Sequence, residues 1–257
     1  MNTSTEPPAL SAATALFLDF DGTLVPVAPR PQDVKVPAWV LPTLQAASGA
    51  LSDALAIVSG RPIAQLDAFL APLRLSAAGE HGAEWREGAG QIERRRADPP
   101  LRVLASARGL AANHVGLLFE PKSSGFALHY RARPELETLC RDELTAALAA
   151  EPDAPAWQWL QGHCVLELKQ RAVSKGSAVR TLLTRPAFAG RRPVFIGDDV
   201  TDEDGIRAVQ EAGGFGVRVG PGASQARYRL AHTDAVATWL SAGLQAFRRT
   251  DREGATP

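Results

Sequence analysis

Short and almost uniformly apolar runs alternate along this chain with segments of helical spacing. The clearest runs lie at 15–20, 54–58 and 193–196. A continuous apolar run of this length is typical of a strand buried on both faces of a parallel sheet. Segments with apolar residues at helical spacing follow these runs, for example after Pro62 and over 236–247. The alternation predicts an α/β fold with a parallel-sheet core.

Between residues 98 and 171 the pattern changes to a helix followed by a pair of strands, and this unit is repeated once. The predicted helices cover 101–113 and 134–150. The predicted strands are 116–121, 126–131, 156–160 and 164–169. An α+β segment between two parts of an α/β pattern indicates an inserted domain. We therefore expect a core formed by 1–97 and 172–257, with an inserted cap domain over 98–171.

Composition excludes several classes of protein. The 28 basic and 28 acidic residues balance, so no global field favours nucleic acid or an anionic membrane, and a monomer is compatible with this balance. The two cysteines, Cys140 and Cys164, form no metal-binding pattern. No apolar run approaches the length of a membrane span, and the first residues lack the pattern of a signal peptide. We expect a cytoplasmic protein without nucleic-acid or membrane partners.

Two aspartates, Asp19 and Asp21, stand at the end of the first apolar run. Side chains alternate along an extended backbone, so both carboxylates point to the same side. Gly22 then permits a sharp turn, and Thr23 adds a hydroxyl and an N–H. Two buried carboxylates are costly unless a cation neutralises them. The pattern predicts a Mg²⁺ site with a nucleophilic aspartate; the alternative is a capped turn whose acids bond loop N–H groups.

The other apolar runs also end in polar residues. Ser59 and Gly60 follow the second run, and Asp198 and Asp199 follow the third. The carboxyl ends of parallel strands meet at one edge of a sheet, where α/β proteins bind ligands. Lys175, one of few lysines in an arginine-rich chain, precedes a helix. We expect these groups to converge on one site.

The run from Asp19 to Thr23 resembles the first motif of the haloacid-dehalogenase-like phosphatases. Hydrolysis of a phosphate monoester needs a nucleophile, neutralisation of the transferring phosphoryl group and a proton for the leaving oxygen. Asp19 is the predicted nucleophile, which forms an aspartyl-phosphate. Asp21 is the predicted general acid and later the base that activates water. Lys175 would neutralise the phosphate and shield Asp19 from it.

The remaining core residues would hold the metal ion and the phosphate. Asp19, the Asp21 carbonyl and Asp198 would supply ligands to Mg²⁺, while either Asp199 or Asp202 would bind it directly or orient its waters. Ser59 would bind phosphate oxygens together with helix N–H groups, although it could also simply cap the next helix. His81 is either a substrate contact or a packed residue. The other candidate contacts to substrate in the core are Gly22, Thr23, Gly60 and Arg61.

Further segments resemble the trehalose-6-phosphate phosphatases within that superfamily. The matching segments, besides the first motif, are 58–61, 79–82, 120–122, 128–131, 175–176 and 197–204. The resemblance implies a Rossmann-like core with an α+β cap, a sugar-phosphate substrate, and glucose contacts from Glu120, Lys122 and Glu167. Exposed hairpin charges are the alternative for these three residues.

Other functions remain open from the sequence. A phosphatase of the same superfamily could act on another sugar phosphate, such as sucrose phosphate or mannosylglycerate phosphate. A phosphomutase or a phosphoryl-transfer ATPase would change the reaction, but Asp21 in place of the Thr found in such ATPases favours rapid hydrolysis. A catalytically inactive binding or regulatory module is the third alternative, and the complete set of core residues argues against it.

Overall fold

A computed structural model describes residues 6–28, 30–95, 98–122, 124–162 and 164–253 of the chain. The chain divides into two compact units, one formed by 1–93 with 174–257 and the other by 94–173. The boundaries expected from the sequence, 98 and 171, fall inside the second unit and stay a prediction.

Strands and helices alternate in the first unit and are grouped in the second. The strands are β1 (Thr14–Leu18), β2 (Leu55–Val58), β3 (Ser76–Gly79), β4 (Glu84–Arg86), β5 (Glu93–Arg94), β6 (Leu118–Lys122), β7 (Gly125–His129), β8 (Trp157–Gly162), β9 (Val165–Gln170), β10 (Arg192–Gly197), β11 (Phe215–Val219) and β12 (Tyr228–Leu230). The helices are α1 (Val40–Ala50), α2 (Ile63–Leu70), α3 (Leu101–Asn113), α4 (Glu137–Ala149), α5 (Lys175–Leu183), α6 (Glu203–Glu211) and α7 (Thr233–Glu253).

The first unit is built on an eight-stranded sheet, counted over the described ranges, in the order β12-β11-β10-β1-β2-β3-β4-β5. The pairs from β12 to β3 are parallel, and β4 pairs antiparallel with β3. Every residue of β1 and β2 is buried, because both strands lie in the middle of the sheet and are covered on both faces. The predicted parallel-sheet α/β core is confirmed.

The second unit is an α+β arrangement, as the repeated helix and strand pair predicts. Its antiparallel sheet has the order β6-β7-β9-β8, and α3 and α4 contact each other. One sheet face joins the apolar cluster that contains Phe126, Leu128 and Leu168, together with Cys140. Both cysteines are free thiols, Cys140 buried and Cys164 half-buried. The other face presents the polar side chains described below.

Two strands of the large sheet differ from what the sequence indicates. The sequence predicts a short strand at 73–77, whereas β3 covers Ser76–Gly79, because its Ser-Ala-Ala-Gly sequence has too little apolar character to mark its position. The three-residue β12 was missed for the same reason. In the part of the chain that the structure describes, no helix has both the length and the apolar character needed to cross a bilayer.

Candidate active site

The polar residues that follow β1, β2 and β10 lie at one edge of the large sheet. The strands are neighbours in the order β10-β1-β2 and run parallel, so their carboxyl ends coincide. The backbone continues the pairing into the site, because Asp19 N–H donates to Ile196 O over 2.9 Å and Ser59 N–H donates to Ala78 O over 2.9 Å. The register of the sheet therefore brings Asp19, Ser59 and the Asp198 loop together.

Lys175 joins two buried carboxylates at this edge. Its Nζ lies 2.6 Å from Asp19 Oδ1 and 2.6 Å from Asp202 Oδ1, and all three side chains are less than 5% exposed. Lys175 is the first residue of α5, whose N-cap Ser174 forms a capping box with Ser177. Burial by itself lowers the pKa of Lys175, but the charges of Asp19 and Asp202 outweigh burial and raise that pKa above its ordinary value. Lys175 is therefore a fixed cation beside Asp19.

The second carboxylate oxygen of Asp202 stabilises the loop after β10 through hydrogen bonds. Asp202 Oδ2 accepts the backbone N–H groups of Asp198 over 3.0 Å and Asp199 over 2.9 Å. Asp199 is exposed, and its carboxylate accepts the N–H of Val200 at the start of the next helical turn. Asp202 thus fixes both the loop and Lys175, while Asp199 caps a helix.

Three carboxylates form a group that could hold a metal ion. Asp19, Asp198 and Asp202 each offer an oxygen atom, and these atoms lie within 4.8 Å of one another. Burial, followed by the charges of Asp202 and Asp199, raises the pKa of Asp198 to about 6. Burial and the charge of Asp202 also raise the pKa of Asp19 well above its ordinary value.

The surroundings of this group fit a divalent cation that prefers oxygen ligands. Asp198 Oδ1 is buried and has no hydrogen-bond partner among the described residues, which is costly for a carboxylate oxygen. Gly22 has a φ of +80°, and a Cβ added there would lie 2.1 Å from Asp198 Oδ2. The acids crowd together with Lys175 as their buried counter-charge, so a Mg²⁺ ion would relieve their repulsion. The glycine keeps the space beside Asp198 open.

Asp21 has a different environment from Asp19. The Arg61 guanidinium donates two hydrogen bonds to the Asp21 carboxylate, from Nε to Oδ2 over 2.6 Å and from Nη2 to Oδ1 over 2.7 Å. The Asp21 side chain is 34% exposed, whereas that of Asp19 is 4% exposed. Asp21 also lies outside the group of three acids that could bind a metal through their side chains. Two aspartates separated by one residue thus have distinct surroundings.

The segment after β2 is a tight turn held against the segment after β3. Ser59 is buried, and its Oγ accepts the Arg61 N–H over 3.1 Å, so it stabilises the turn. It does not cap α2, since the N–H of Ile63 in that helix donates to Glu84 Oε1 over 2.5 Å. The helix-capping alternative for Ser59 is therefore wrong.

His81 and Gly60 pack together beside this turn. The His81 N–H donates to Ser59 O over 3.0 Å, and a Cβ on Gly60 would lie 2.7 Å from the imidazole. Glu80 and His81 both have left-handed backbone conformations, with φ of 47° and 57°, which are uncommon for residues other than glycine. Thr23, fully buried, donates its hydroxyl to Asp19 Oδ2 over 3.4 Å. All the core residues predicted from the sequence lie along this edge.

The second unit brings its three predicted sugar contacts together on one sheet face. Glu120 pairs in register with Ala127, which in turn pairs with Glu167, so the two glutamates project from the same face. Lys122 Nζ lies 2.8 Å from Glu167 Oε2, and His129 Nε2 lies 2.7 Å from Glu120 Oε2. The hydrogen bond from His129 lowers the pKa of Glu120. These charges form local pairs on the polar face.

Two buried charged residues near these sites were missed by the sequence analysis. Glu84, 3% exposed, satisfies the N-terminus of α2. Lys169, 6% exposed, stands opposite Gly125 on β7 and Gln158 on β8, in the row of the sheet that also contains Lys122. Lys169 follows Glu167 at a spacing of two residues on β9, so alternation along the strand was the signal that could have identified it.

Comparison with known sequences agrees with this geometry. The model of the family described as Trehalose-phosphatase matches residues 17–234. The chain is similar to the trehalose-6-phosphate phosphatase of Escherichia coli strain K12, with 39% identity over 253 residues that cover 96% of this chain and 94% of that protein. It is also similar to a probable trehalose-phosphate phosphatase of Sinorhizobium fredii, with 39% identity over 212 residues that cover 80% of this chain and 78% of that protein.

Solved structures support the same fold. An Aspergillus fumigatus trehalose-6-phosphate phosphatase superposes with a TM-score of 0.65 at 27% identity, covering 94% of this chain and 100% of that one. The C-terminal domain of a trehalose-6-phosphate phosphatase of C. albicans superposes with a TM-score of 0.72 at 20% identity, covering 94% and 99%. A haloacid-dehalogenase-like hydrolase of B. subtilis, 16% identical, has the same fold with a TM-score of 0.58 over 88% and 99% of the two chains.

Proposed function

The chain belongs to the trehalose-phosphatase family, within the haloacid-dehalogenase-like superfamily, and we propose that it hydrolyses trehalose 6-phosphate to trehalose and phosphate. This reaction is the last step of trehalose biosynthesis. The observation that carries the proposal is the cluster of three buried side chains, Asp19, Lys175 and Asp202, with the half-buried Asp198, in a chain that the family matches over 17–234. A sugar phosphate is the substrate class that fits this chemistry.

Asp19 is the proposed nucleophile. Lys175 holds Asp19 Oδ1 and Thr23 donates to Oδ2, so the carboxylate has a fixed orientation. An Asp19 oxygen attacks phosphorus, the bond to the sugar oxygen breaks, and an aspartyl-phosphate forms. The Lys175 ammonium stabilises the negative charge of the phosphoryl group as it transfers, because its burial leaves that charge poorly screened by water.

We infer that the cofactor is Mg²⁺, held by the carboxylates of Asp19 and Asp198 and by the Asp21 carbonyl. The ion would neutralise phosphate oxygens and so reduce the repulsion between the phosphate and the nucleophile. Both oxygens of Asp202 already accept hydrogen bonds, from Lys175 and from two backbone N–H groups, so its main role is to position these groups. Asp199 caps a helical turn, which leaves it a lesser candidate for the metal.

Asp21 is the proposed general acid and base. It donates a proton to the sugar oxygen as the ester bond breaks, then accepts a proton from the water that attacks the aspartyl-phosphate, and Asp19 is released. Ser59, the turn at Gly60, and Gly22 and Thr23 are the candidate contacts to the phosphate.

Glu120, Lys122 and Glu167 are the proposed contacts to glucose hydroxyls, and His81 stays a candidate contact in the core. In the second unit, carboxylates accept hydroxyl protons and the ammonium donates to hydroxyl oxygens. Pairing between Lys122 and Glu167 keeps these groups oriented before a sugar binds. A sugar without the matching hydroxyl would leave a charged group unpaired, which gives discrimination. A monomer in the cytoplasm, with no nucleic-acid or membrane partner, stays a prediction.

The test is phosphate release from four substrates with and without Mg²⁺: trehalose 6-phosphate, sucrose 6-phosphate, glucose 6-phosphate and p-nitrophenyl phosphate. The proposal predicts a specificity constant for trehalose 6-phosphate well above the other three, and loss of activity with a chelator. Preference for another sugar phosphate would keep the core chemistry and overturn the substrate. Absence of release from all four would overturn the function and favour a binding or regulatory module.

A further inference from the structure

Arg61 and Asp21 form a bidentate ion pair, and Asp21 lies two residues after the proposed nucleophile, Asp19. Two guanidinium nitrogens each donate to a different Asp21 oxygen, over 2.6 and 2.7 Å. A guanidinium that binds a carboxylate through two parallel bonds fixes both the position and the rotation of that carboxylate. The sequence predicts that Arg61 contacts the substrate, whereas in the structure its guanidinium binds Asp21, the proposed general acid and base.

The Arg61 side chain is itself held in place by its neighbours. Its guanidinium lies over the rings of Phe20, at 5.9 Å, and Phe69, at 5.1 Å, and a third nitrogen donates to Gln65 Oε1 over 3.3 Å. The two rings stack on each other with centroids 5.6 Å apart. The Arg61 side chain is 11% exposed. Packed rings under a guanidinium restrict its motion.

The backbone of Arg61 is tied to both loops at this edge of the sheet. Its N–H donates to Ser59 Oγ over 3.1 Å, and its carbonyl accepts the Glu80 N–H over 3.0 Å. Arg61 is therefore anchored at its backbone, along its side chain and at its tip. The Asp21 side chain is short and one third exposed, and two hydrogen bonds from Arg61 hold its carboxylate.

We propose that Arg61 is a positioning residue, which holds the Asp21 carboxylate at the orientation needed to accept a proton from the water that attacks the aspartyl-phosphate. A general base must lie within hydrogen-bond reach of the proton it accepts, so rotation of Asp21 away from that orientation slows this step. The inference rests on the proposed function, in which Asp21 exchanges protons with the leaving oxygen and with water.

Positioning and substrate binding predict different kinetics. A residue that only binds substrate affects KM and leaves kcat unchanged, whereas a residue that orients the general base affects kcat. The leaving group gives a second distinction. A p-nitrophenolate leaves without a proton, so formation of the aspartyl-phosphate from p-nitrophenyl phosphate does not need Asp21, whereas the attack of water on that intermediate does.

The experiment compares wild-type protein with Arg61→Ala, Arg61→Lys and the control Arg30→Ala, which removes an exposed arginine paired with Asp33. With trehalose 6-phosphate, Arg61→Ala is expected to lower kcat by about 100-fold, the lower end of the contribution of a general acid or base, with little change in KM. Arg61→Lys keeps the positive charge but cannot form the bidentate pair with Asp21, so its kcat is expected to lie between those of Arg61→Ala and the wild type. The control is expected to match wild type.

Rapid mixing with p-nitrophenyl phosphate provides the second measurement. Arg61→Ala is expected to keep the wild-type rate of the first burst of p-nitrophenol and to slow the turnover that follows. A raised KM with unchanged kcat, or equal loss of burst and turnover, would overturn the proposal.

If Arg61→Ala fails to fold, Phe69→Leu, which removes one ring under the guanidinium, is expected to shift kcat in the same direction. The burst assay does not depend on trehalose 6-phosphate as substrate, so a wrong sugar is distinguishable from a wrong role for Arg61.

Discussion

Asp202 Oδ1 lies 2.6 Å from Lys175 Nζ, and neither side chain is more than 3% exposed. The second oxygen of Asp202 accepts two N–H groups of the loop that presents Asp198. One carboxylate thus orients both the cation beside Asp19 and the loop that carries a candidate metal ligand. We expect Asp202 to act through these groups rather than on the substrate.

Replacement of Asp202 is expected to reduce both stability and activity. Asp202→Ala removes one of the two counter-charges of Lys175 and leaves two loop N–H groups without an acceptor, which costs about 3 to 5 kcal/mol of unfolding free energy. Urea unfolding at neutral pH measures this cost. Asp204→Asn is the matched control, since that residue lies two positions further along the chain, in α6, and pairs with Arg207 near the surface. Its expected change is below about 0.5 kcal/mol, and a similar loss in both variants would contradict the account.

Binding of Mg²⁺ is expected to strengthen as pH rises through about 6. Burial and nearby acids raise the pKa of Asp198 to about 6, so in the metal-free protein it binds a proton that must leave before a cation binds. Between the ordinary pKa of 3.8 and about 6 the folded state holds more protons than the unfolded chain, so this group's contribution to stability falls as pH rises.

Thermal unfolding with and without Mg²⁺ tests this dependence. The increase in Tm caused by the ion is expected to be small near pH 5 and large near pH 7.5, because only the deprotonated site binds the cation. Asp198→Asn is expected to lose most of the increase at both values. An increase that is independent of pH, or that survives in Asp198→Asn, would place the ion elsewhere.

The sugar contacts are expected to affect KM for one substrate class only. Glu120→Gln, Lys122→Met and Glu167→Gln each remove a charge from the polar face of the second unit and are expected to raise KM for trehalose 6-phosphate by about 10- to 100-fold, as loss of a charged hydrogen bond does. Activity on p-nitrophenyl phosphate, which has no sugar, should not change. Glu143→Gln on α4, whose carboxylate accepts a hydrogen bond from Ser106, is the control. Equal effects on both substrates would argue against a sugar site.

An ion pair of a buried arginine outside the site is expected to make the stability of the core sensitive to acid. Arg86, 1% exposed, binds Asp67 through two bonds of 2.7 Å each, and its hydrogen bond lowers the pKa of Asp67. Because folding lowers the pKa of Asp67, the ion pair contributes its full stabilisation at pH values above the ordinary pKa of 3.8. This stabilisation is lost as the pH falls through the lowered pKa of Asp67. Asp67→Asn is expected to cost about 3 kcal/mol at pH 7 and much less near pH 2. A difference that does not depend on pH would contradict this assignment.

Local sequence was sufficient to predict the core because each strand that carries a site residue is uniformly apolar. The apolar runs that form β1, β2 and β10 predict buried parallel strands. The carboxyl ends of parallel strands lie at one edge of the sheet. The convergence of Asp19, Ser59 and Asp198 follows from that rule. Weakly apolar elements such as β12 gave no such signal.

Pairing between side chains distant in sequence could not be predicted. Arg61 and Asp21 are 40 residues apart, and their ion pair depends on how the turn after β2 packs. Whether Ser59 or another residue satisfies the start of α2 was also open, because the acceptor, Glu84, comes from an antiparallel strand 21 residues away. Such contacts require the three-dimensional arrangement of the sheet.

The most direct test of the account is a search for a phosphoryl group on Asp19 after rapid mixing with trehalose 6-phosphate and Mg²⁺. Acid-quenched samples are digested, and peptides containing Asp19 are examined by mass spectrometry. The account predicts transient phosphorylation of Asp19 in the wild type, a larger amount in Asp21→Asn with p-nitrophenyl phosphate, and none in Asp19→Asn, which also releases no phosphate. Phosphate release by Asp19→Asn at the wild-type rate, or turnover without phosphorylated Asp19, would contradict it.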